Sequence, residues 1–310
     1  MLLKQIMEVY DIIDRSTASG EDVKSYLESY GGENIEVKEL SSSKGSTDLV
    51  KMKIIGKNGK TLGGNAPTLG VLGRLGGIGA RPEMLGFVSD GDGALVALAV
   101  AAKILDMQQK GDVLDGDVII STHICPDAPT KEHHPVPFMD SPVDMMTMNE
   151  NEVDAECDAI LSVDTTKGNR VINTRGFAIS PTVKEGYILR TSDDLLNIMQ
   201  TTTGRLPYVF PLSIQDITPY GNDLHHLNSI LQPAVATNAP VVGVAITTEM
   251  PVAGCATGAS NFSDLESAGR FIVEVAKFYG TKKCSFYNES EWDIIIKKYG
   301  NLNKFQTFGE

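Results

Sequence analysis

Residues 84–129 read MLGFVSDGDGALVALAVAAKILDMQQKGDVLDGDVIISTHICPDAP and contain the pattern that decides the fold. A short apolar segment leads into the turn Asp90-Gly91-Asp92-Gly93, and an almost uniformly apolar helix is predicted over 94–107. A second strand, predicted over 117–122, ends in polar residues. This order of strand, turn, helix and strand predicts an α/β protein that presents carboxylates at the carboxyl edge of a parallel sheet.

The rest of the chain continues the alternation of strands and helices. Strands are predicted at 34–39, 48–55, 68–72, 158–164 and 241–247, and further helices at 2–14, 21–30 and 264–279. We therefore predict one α/β domain over residues 1–310, with a mixed, largely parallel sheet flanked by helices. Its core is expected at 1–280, and residues 281–310 are expected to form a tail that packs on the body through Trp292.

The composition argues against several classes of partner. With 27 basic and 40 acidic residues, the formal net charge is −13, which disfavours duplex nucleic acid and anionic membranes. The longest apolar run, 94–102, is too short to span a bilayer, and the amino terminus lacks a small-residue cleavage site. Four scattered cysteines without a CxxC pair indicate reduced thiols. These features predict a cytoplasmic protein.

No nucleotide cofactor is expected. The glycines of VLGRLGGIGARPE (71–83) do not have the G-x-G-x-x-G spacing, and Arg81-Pro82 prevents an immediate helix. The chain also lacks the phosphate-binding motif G-x-x-x-x-G-K-[ST] and the serine-hydrolase motif G-x-S-x-G.

Acidic side chains follow or end three predicted strands. Asp90 and Asp92 form a turn whose glycines would let two carboxylates approach a divalent cation, although an N-cap and a turn residue give the same pattern. His123 and Asp127 follow the next strand, and Asp164 ends the one after that. Because the carboxyl ends of parallel strands share an edge, we expect these residues to converge, with His123 or Asp127 as metal ligand or catalytic base.

The remaining histidines lie in two pairs. His225 and His226 follow Asp223 before a predicted helix, and Asp223, His225 and His226 are candidate metal or substrate ligands. A solvated helix start explains the same residues equally well. The pair His133-His134 lies in KEHHPVP, which is predicted to be an exposed loop without a site.

The order of these motifs resembles that of the paired-zinc aminopeptidase and carboxypeptidase superfamily over residues 1–280. Asp90 matches the metal-bridging Asp of that family, and Asp164 matches an acidic ligand at the end of a later strand. The segment Gly221-Asn222-Asp223 is similar to the Gly-Thr-Asp segment that lines the substrate pocket. The chain also resembles an uncharacterised bacterial and archaeal family of about this length, domain of unknown function 1177.

Several elements of the zinc-peptidase pattern are replaced in this chain. Arg74 lies at the His-x-Asp position, Pro126-Asp127 is followed by Ala128 instead of a Glu pair, and residues 249–255 contain no His. The segment between Gly76 and Asp90 is too short for the inserted lid domain of many relatives. A metal site around Asp90 and Asp164 would therefore need substitute ligands. The candidates are Asp92, His123, Asp127, Asp223, His225 and Cys255.

The resemblance implies a hydrolase that acts on amide bonds of small peptides or amino-acid derivatives, with zinc or another divalent metal held by Asp90, Asp92 and Asp164. The alternative is a catalytically degenerate, metal-free protein that binds a small molecule or takes part in an assembly. In that case Arg74 would pair with a substrate carboxylate. A third hypothesis is a metal-free acid–base enzyme that uses His123 and Cys125. Related folds often form oligomers, so a homo-oligomer is also expected.

Overall fold

The apolar runs predicted as strands assemble into one sheet in the computed structural model, which describes residues 1–74, 86–132, 137–252 and 260–310. The strands are, in chain order, β1 (Ile35–Ser42), β2 (Gly45–Ile54), β3 (Leu69–Gly73), β4 (Val118–Ile124), β5 (Thr130–Lys131), β6 (Phe138–Met139), β7 (Ala159–Thr165), β8 (Gly176–Ile179), β9 (Val183–Lys184), β10 (Tyr187–Ile188) and β11 (Val241–Thr247). Within the described residues, nine of them form the main sheet, and β5 pairs with β6 separately.

The main sheet is parallel at its centre and antiparallel at both sides. Its order is β1-β2-β4-β3-β7-β11-β9-β10, and β8 also pairs with β11. Strands β4, β3, β7 and β11 run parallel to their neighbours in this central group, whereas β1, β2, β8, β9 and β10 pair antiparallel. The predicted mixed α/β sheet, with helices on its faces, is therefore confirmed.

Seven α-helices and five short 3₁₀ helices occupy the described ranges. The α-helices are α1 (Leu3–Ile13), α2 (Gly20–Ser29), α3 (Asp92–Gln109), α4 (Met145–Glu152), α5 (Asp193–Thr203), α6 (Phe262–Gly280) and α7 (Glu289–Tyr299). The 3₁₀ helices are Lys60–Leu62, Ser89–Gly91, Gln215–Ile217, Ser229–Ala236 and Asn303–Phe305. None of the helices in the described part of the chain combines the length and the apolar character needed to cross a bilayer.

Alternation along the strands divides the core between the two faces of the sheet. Val71 and Leu161 belong to the larger apolar cluster, which also contains the buried side chains of α3. Leu72 directly follows Val71 on β3, and Ile160 directly precedes Leu161 on β7. Both belong to a smaller cluster on the opposite face. Successive side chains along a strand point to opposite faces of the sheet. The face of a residue at a strand end therefore follows from its distance in sequence to these core residues.

The carboxy-terminal helix lies near the short edge strand β10. Helix α7 has no buried residue, but its Trp292 ring packs edge-on against Tyr187, with 5.7 Å between ring centroids. The ammonium group of Lys184 lies 5.1 Å from the centroid of the same Trp292 ring. Trp292 is therefore the aromatic side chain through which α7 contacts the sheet edge.

Gly93 lies where α3 meets the ends of two central strands. A Cβ atom at this position would lie 2.5 Å from the Val163 carbonyl oxygen and 2.8 Å from that of Arg74. Both contacts are with backbone atoms, which cannot rotate away. The missing side chain therefore lets the amino terminus of α3 approach the carboxyl edge of the sheet.

We expect Gly93→Ala to push α3 away from the sheet and to lower the free energy of unfolding by about 1–3 kcal/mol, because the added methyl group overpacks the contact. Urea unfolding monitored by circular dichroism measures this change. Gln109→Ala, at the exposed end of the same helix, is the matched control. A Gly93→Ala variant that unfolds at the wild-type urea concentration would contradict the close packing described above.

Candidate functional site

Three residues with predicted roles lie in one row across neighbouring strands. The registers of β3 with β4 and with β7, continued past Gly73, place Arg74 between His123 and Asp164. The Arg74 backbone N–H donates a hydrogen bond to the Val163 carbonyl oxygen at 2.7 Å, which extends the pairing beyond the strand. The exposed fractions of Arg74, His123 and Asp164 are 2%, 5% and 1%. The row is therefore built into the protein interior at the carboxyl edge of the sheet.

Glu152, the last residue of α4, binds two members of this row. Its Oε2 atom forms an ion pair with Arg74 Nη1, and its Oε1 atom lies 2.8 Å from His123 Nδ1. Complete burial by itself would raise the pKa of Glu152, but the charge of Arg74 and the hydrogen bond with His123 outweigh that effect. The net result is a pKa below the usual value, so Glu152 stays ionised inside the protein.

The Arg74 guanidinium is largely engaged within the protein. Besides the ion pair with Glu152, its Nη2 atom donates to the Met145 sulfur at 2.7 Å. Its Nε atom is buried without a hydrogen-bond partner among the described residues. The role of Arg74 in binding a substrate carboxylate stays a prediction, and within the described residues Nε is the guanidinium nitrogen that has no partner.

Asp90, Asp92 and Asp164 come together where α3 begins and β7 ends. Asp164 accepts hydrogen bonds from the backbone N–H of Thr165 at 2.7 Å and from the Ser229 hydroxyl at 3.2 Å. Asp90 belongs to the 3₁₀ turn that precedes α3, and Asp92 is the first residue of the helix. Asp92 is completely buried, whereas Asp90 is half-buried.

Two polar side chains hold Asp92 in place. The Ser260 hydroxyl donates to Asp92 Oδ1 at 2.5 Å, and Lys167 Nζ lies 3.4 Å from Asp92 Oδ2. Lys167 lies two residues after the end of β7, at the same edge of the sheet as Asp164. The aspartate cluster therefore contains a cation of its own.

Asp90 interacts electrostatically with both Asp92 and Asp164. Burial raises the pKa of Asp164 to about 7 and the pKa values of Asp90 and Asp92 to about 6. The positive charge of Lys167 lowers the pKa of Asp90 and Asp92 in part, whereas the negative charge of Asp90 raises the pKa of both Asp92 and Asp164. Carboxyl pKa values raised by burial in this way are frequent at acid–base sites.

The described side chains do not fit the paired-zinc centre that the resemblance implied. Across residues 1–74, 86–132, 137–252 and 260–310, no three His, Cys, Asp or Glu side chains are arranged to hold one metal ion. Asp90, Asp92 and Asp164 offer only oxygen atoms, whereas zinc sites favour nitrogen and sulfur. His123, whose Nδ1 atom contacts Glu152, does not belong to any group of three donors among the described residues. Among the described residues, Asp90, Asp92 and Asp164 are therefore not part of a group that would hold a metal ion, and their role as metal ligands stays a prediction.

The other predicted site residues lie on the surface. Asp127 is exposed in the turn after β4, and Asp223 and His225 are exposed in the loop before the 3₁₀ helix Ser229–Ala236. Asp223 adopts a left-handed backbone conformation with φ of 62°. Of the histidine pair, His226 is the one held by the protein, because its Nε2 atom lies 3.0 Å from the Thr218 carbonyl oxygen. Catalytic or binding roles for Asp127, Asp223 and His225 stay predictions.

The thiol hypothesis finds a buried cysteine. Cys125 donates to the Ser46 carbonyl oxygen at 3.5 Å, and burial raises the pKa of its thiol to about 11. A thiol in this state is a poor nucleophile at neutral pH, because the thiolate is the reactive form. The pair His133-His134 and the candidate ligand Cys255 lie outside the described residues.

Two central residues of this site were not predicted from sequence. Glu152 lies in MMTMNENE, a short helix without an apolar stripe, so its buried position gives little signal. One clue is that a buried Arg74 would require an acidic partner. Lys167 follows Asp164 by three residues in SVDTTKG, and this spacing after a strand end is the available signal for it.

Comparison with known proteins agrees with this architecture. The crystal structure of the LapA aminopeptidase of Legionella pneumophila is similar with a TM-score of 0.50 and 12% sequence identity. The match covers 93% of this chain and 71% of that one. At this identity the likeness shows a shared fold, so the chain has a divergent peptidase-like α/β fold, as the sequence predicted. None of the curated protein sequences matches the chain significantly.

The family follows from a second comparison. The profile described as "Protein of unknown function (DUF1177)" matches residues 38–309. The chain belongs to this family, which confirms the second resemblance drawn from the sequence.

We expect Arg74→Met to lower the free energy of unfolding by about 3–5 kcal/mol, because the change leaves the buried Glu152 carboxylate without a compensating charge. The double variant Arg74→Met/Glu152→Met should recover most of that loss. Urea unfolding measures both. Lys53→Met breaks the more exposed ion pair with Glu156 and is the control, with an expected loss below about 1 kcal/mol. Equal losses for Arg74→Met and Lys53→Met would show that the buried pair has no special role.

The pH dependence of stability gives a test for Asp164. Its pKa is about 7 in the fold against an ordinary 3.8, so protonated Asp164 favours the folded state. This contribution is complete below pH 3.8 and is lost as the pH rises through 7. The Asn variant lacks this contribution at every pH. As the pH rises from 3.8 to 7, its free energy of unfolding should therefore increase relative to that of the wild type, by up to about 1.4 kcal/mol per pH unit. Urea unfolding at several pH values measures this, with Asp112→Asn as an exposed control. A difference from wild type that is independent of pH would contradict the raised pKa.

Proposed function

We propose that the chain is an amide hydrolase that acts on small peptides or amino-acid derivatives, with its acid–base chemistry at Asp90 and Asp164. The observation that carries this proposal is the placement of two carboxyl groups at the carboxyl edge of the sheet, Asp90 before α3 and Asp164 near the end of β7, where burial raises their pKa values to about 6 and 7. The fold shared with an aminopeptidase supports the same class of reaction. Ligand sites in open α/β sheets also lie at this edge.

The two carboxyl groups suit different parts of one step. At pH 7, Asp90 is mainly ionised and half-buried, so it can accept a proton from water while the water oxygen attacks the amide carbon. Asp164 is about half protonated at the same pH and can donate its proton to the carbonyl oxygen. Environments that push two carboxyl groups to different pKa values divide the roles of base and acid in this way.

No step of this proposal passes through a metal ion, since the described donors do not fit one. Lys167 supplies positive charge beside Asp92 and acts on Asp90 as well. Its charge favours the ionised form of both carboxyls, and thereby keeps Asp90 available as a base at neutral pH. Lys167 thus contributes by setting the charge of the acidic group.

A second candidate function is metal-free binding of a small molecule without turnover. The observation that favours it is the buried Arg74–Glu152–His123 network, which occupies the row beside Asp164 and ties up the Arg74 guanidinium. In this case the same edge of the sheet would bind its ligand without cleaving it.

The test is hydrolysis of aminoacyl amides, dipeptides and N-acyl amino acids by the purified protein. Each substrate is assayed with a chelator and with added Zn²⁺ or Mn²⁺. We expect hydrolysis, and a loss of kcat of about 100-fold or more in Asp90→Asn and in Asp164→Asn, because each variant removes a proton-transferring group. Asp112→Asn, which changes an exposed carboxyl away from this edge, should keep the wild-type rate.

Two results would contradict the proposal. Wild-type rates in Asp90→Asn and Asp164→Asn would remove both carboxyls from the chemistry. Binding of a substrate in calorimetry, without hydrolysis of any of them under any of the metal conditions, would favour the binding function instead.

A further inference from the structure

We propose that Glu152 positions His123 as the general acid that protonates the leaving amine. This inference rests on the proposed amide hydrolysis and adds a step to it. The geometry that supports it is the 2.8 Å contact between Glu152 Oε1 and His123 Nδ1, made by two side chains that are 0% and 5% exposed. No sequence motif pairs these residues, which are 29 positions apart.

The contact fixes the orientation of the imidazole ring. With Nδ1 directed at Glu152, the Nε2 atom lies on the opposite side of the ring and is the nitrogen left for proton transfer. No residue in the described ranges forms a hydrogen bond with Nε2. A carboxylate that orients one ring nitrogen so that the other can transfer a proton is a general arrangement in acid–base catalysis.

His123 lies on the same side of the sheet as Asp164. Ile119 and Ile160 belong to the smaller apolar cluster, and His123 and Asp164 follow them by four residues on β4 and β7. Since side chains repeat every second residue along a strand, both project from the face of that smaller cluster. Arg74 separates them by one strand, which keeps the proposed acid distinct from the Asp90–Asp164 group.

Arg74 fits a supporting role in this arrangement. It occupies Oε2 of Glu152 and leaves Oε1 for His123, so the carboxylate is ionised and fixed on both sides. The ionised Glu152 carboxylate contacts His123 Nδ1 and so keeps Nε2 directed away from it. This accounts for the burial of an Arg side chain at a position where it has little access to a ligand.

Two further buried polar side chains adjoin the pair. Asn149 precedes Glu152 by three residues on α4 and therefore lies on the same helix face, and Ser121 precedes His123 by two residues on β4. Both are 0% exposed, and neither the Asn149 amide nor the Ser121 hydroxyl has a hydrogen-bond partner among the described residues. Buried polar groups are rarely left unpaired, so these atoms offer hydrogen-bonding capacity to a polar ligand on this face.

The leaving amine takes its proton from His123 after water has added to the amide. Water adds to the amide carbon and gives a proton to Asp90, while Asp164 protonates the carbonyl oxygen. That oxygen then returns its proton to Asp164 and re-forms the C=O bond as the C–N bond breaks and its electron pair moves to the nitrogen. That nitrogen takes the Nε2 proton of the His123 imidazolium, and the amine leaves. His123 is then neutral, with its Nδ1–H still donated to Glu152. Proton exchange with solvent water returns one proton to His123 and removes one from Asp90, so the net reaction consumes one water.

The first test compares leaving groups. We expect Glu152→Gln to lower kcat on peptide amides by about 100-fold, with little change in KM, because an amine cannot leave without a proton. On p-nitrophenyl esters, whose leaving group needs no proton, the loss should be below about 3-fold. His123→Gln should show the same pattern, and the double variant should lose no more than either single variant. Glu150→Gln, an exposed residue on the same helix, is the matched control.

The second test needs no activity. In ¹⁵N-histidine-labelled protein, the His123 ring signals are assigned by their absence in His123→Gln. Glu152→Gln should shift the Nδ1 signal and speed the exchange of its proton with solvent, whereas Glu150→Gln should leave both unchanged. An unchanged Nδ1 signal in Glu152→Gln would overturn the positioning role.

The two tests separate failure of this inference from failure of the proposed function. Equal losses on amides and esters in Glu152→Gln would overturn the general-acid step and leave amide hydrolysis at Asp90 and Asp164 intact. Absence of any hydrolysis by the wild-type protein would overturn the proposed function and the general-acid role together, while the ring signals would still decide whether Glu152 orients His123.

Discussion

The ion pair between Arg74 and Glu152 is the interaction on which the arrangement of this site depends. Each of these charges loses its hydration in the interior at a cost of several kcal/mol, which only a well-placed partner can offset. The pair therefore constrains the end of β3 and the last turn of α4 to meet above the carboxyl edge of the sheet. His123 takes its orientation from the same carboxylate.

A second constraint acts from the other side of the sheet. Gly93 lets the amino terminus of α3 approach the backbone of β3 and β7, and this approach brings Asp90 to Asp164. Burial of three carboxyls close to one another disfavours full ionisation, and Lys167 offsets the effect only in part. The protein thus has one group that is held ionised, Glu152, and one that gains and loses protons near neutrality. The proposed acid–base chemistry depends on this division.

The sequence predicts the fold well because the apolar patterns are strong. Helix α3 and strand β11 are apolar nearly throughout. The observed α3 extends the predicted range 94–107 by two residues at each end, and the observed β11 matches the predicted range 241–247. Helix α4 was not predicted, because eight residues with five polar side chains carry little periodicity. The candidate site was predicted in part. Asp90, Asp164 and Arg74 lie next to strands or helices with clear apolar patterns, whereas Glu152 comes from a helix without such a pattern and contacts Arg74 only in the folded protein. The exposed positions of Asp127, Asp223 and His225 likewise depend on loop conformations that no repeat in the sequence specifies.

The central claim is that this edge of the sheet holds carboxyl groups that titrate near neutral pH. Nuclear magnetic resonance of ¹³C-carboxyl-labelled aspartate tests it most directly, with Asp90→Asn, Asp92→Asn and Asp164→Asn used to assign the signals. We expect titration midpoints of about 6 for Asp90 and Asp92 and about 7 for Asp164. Midpoints near the ordinary aspartate value of about 4 for all three would contradict the account.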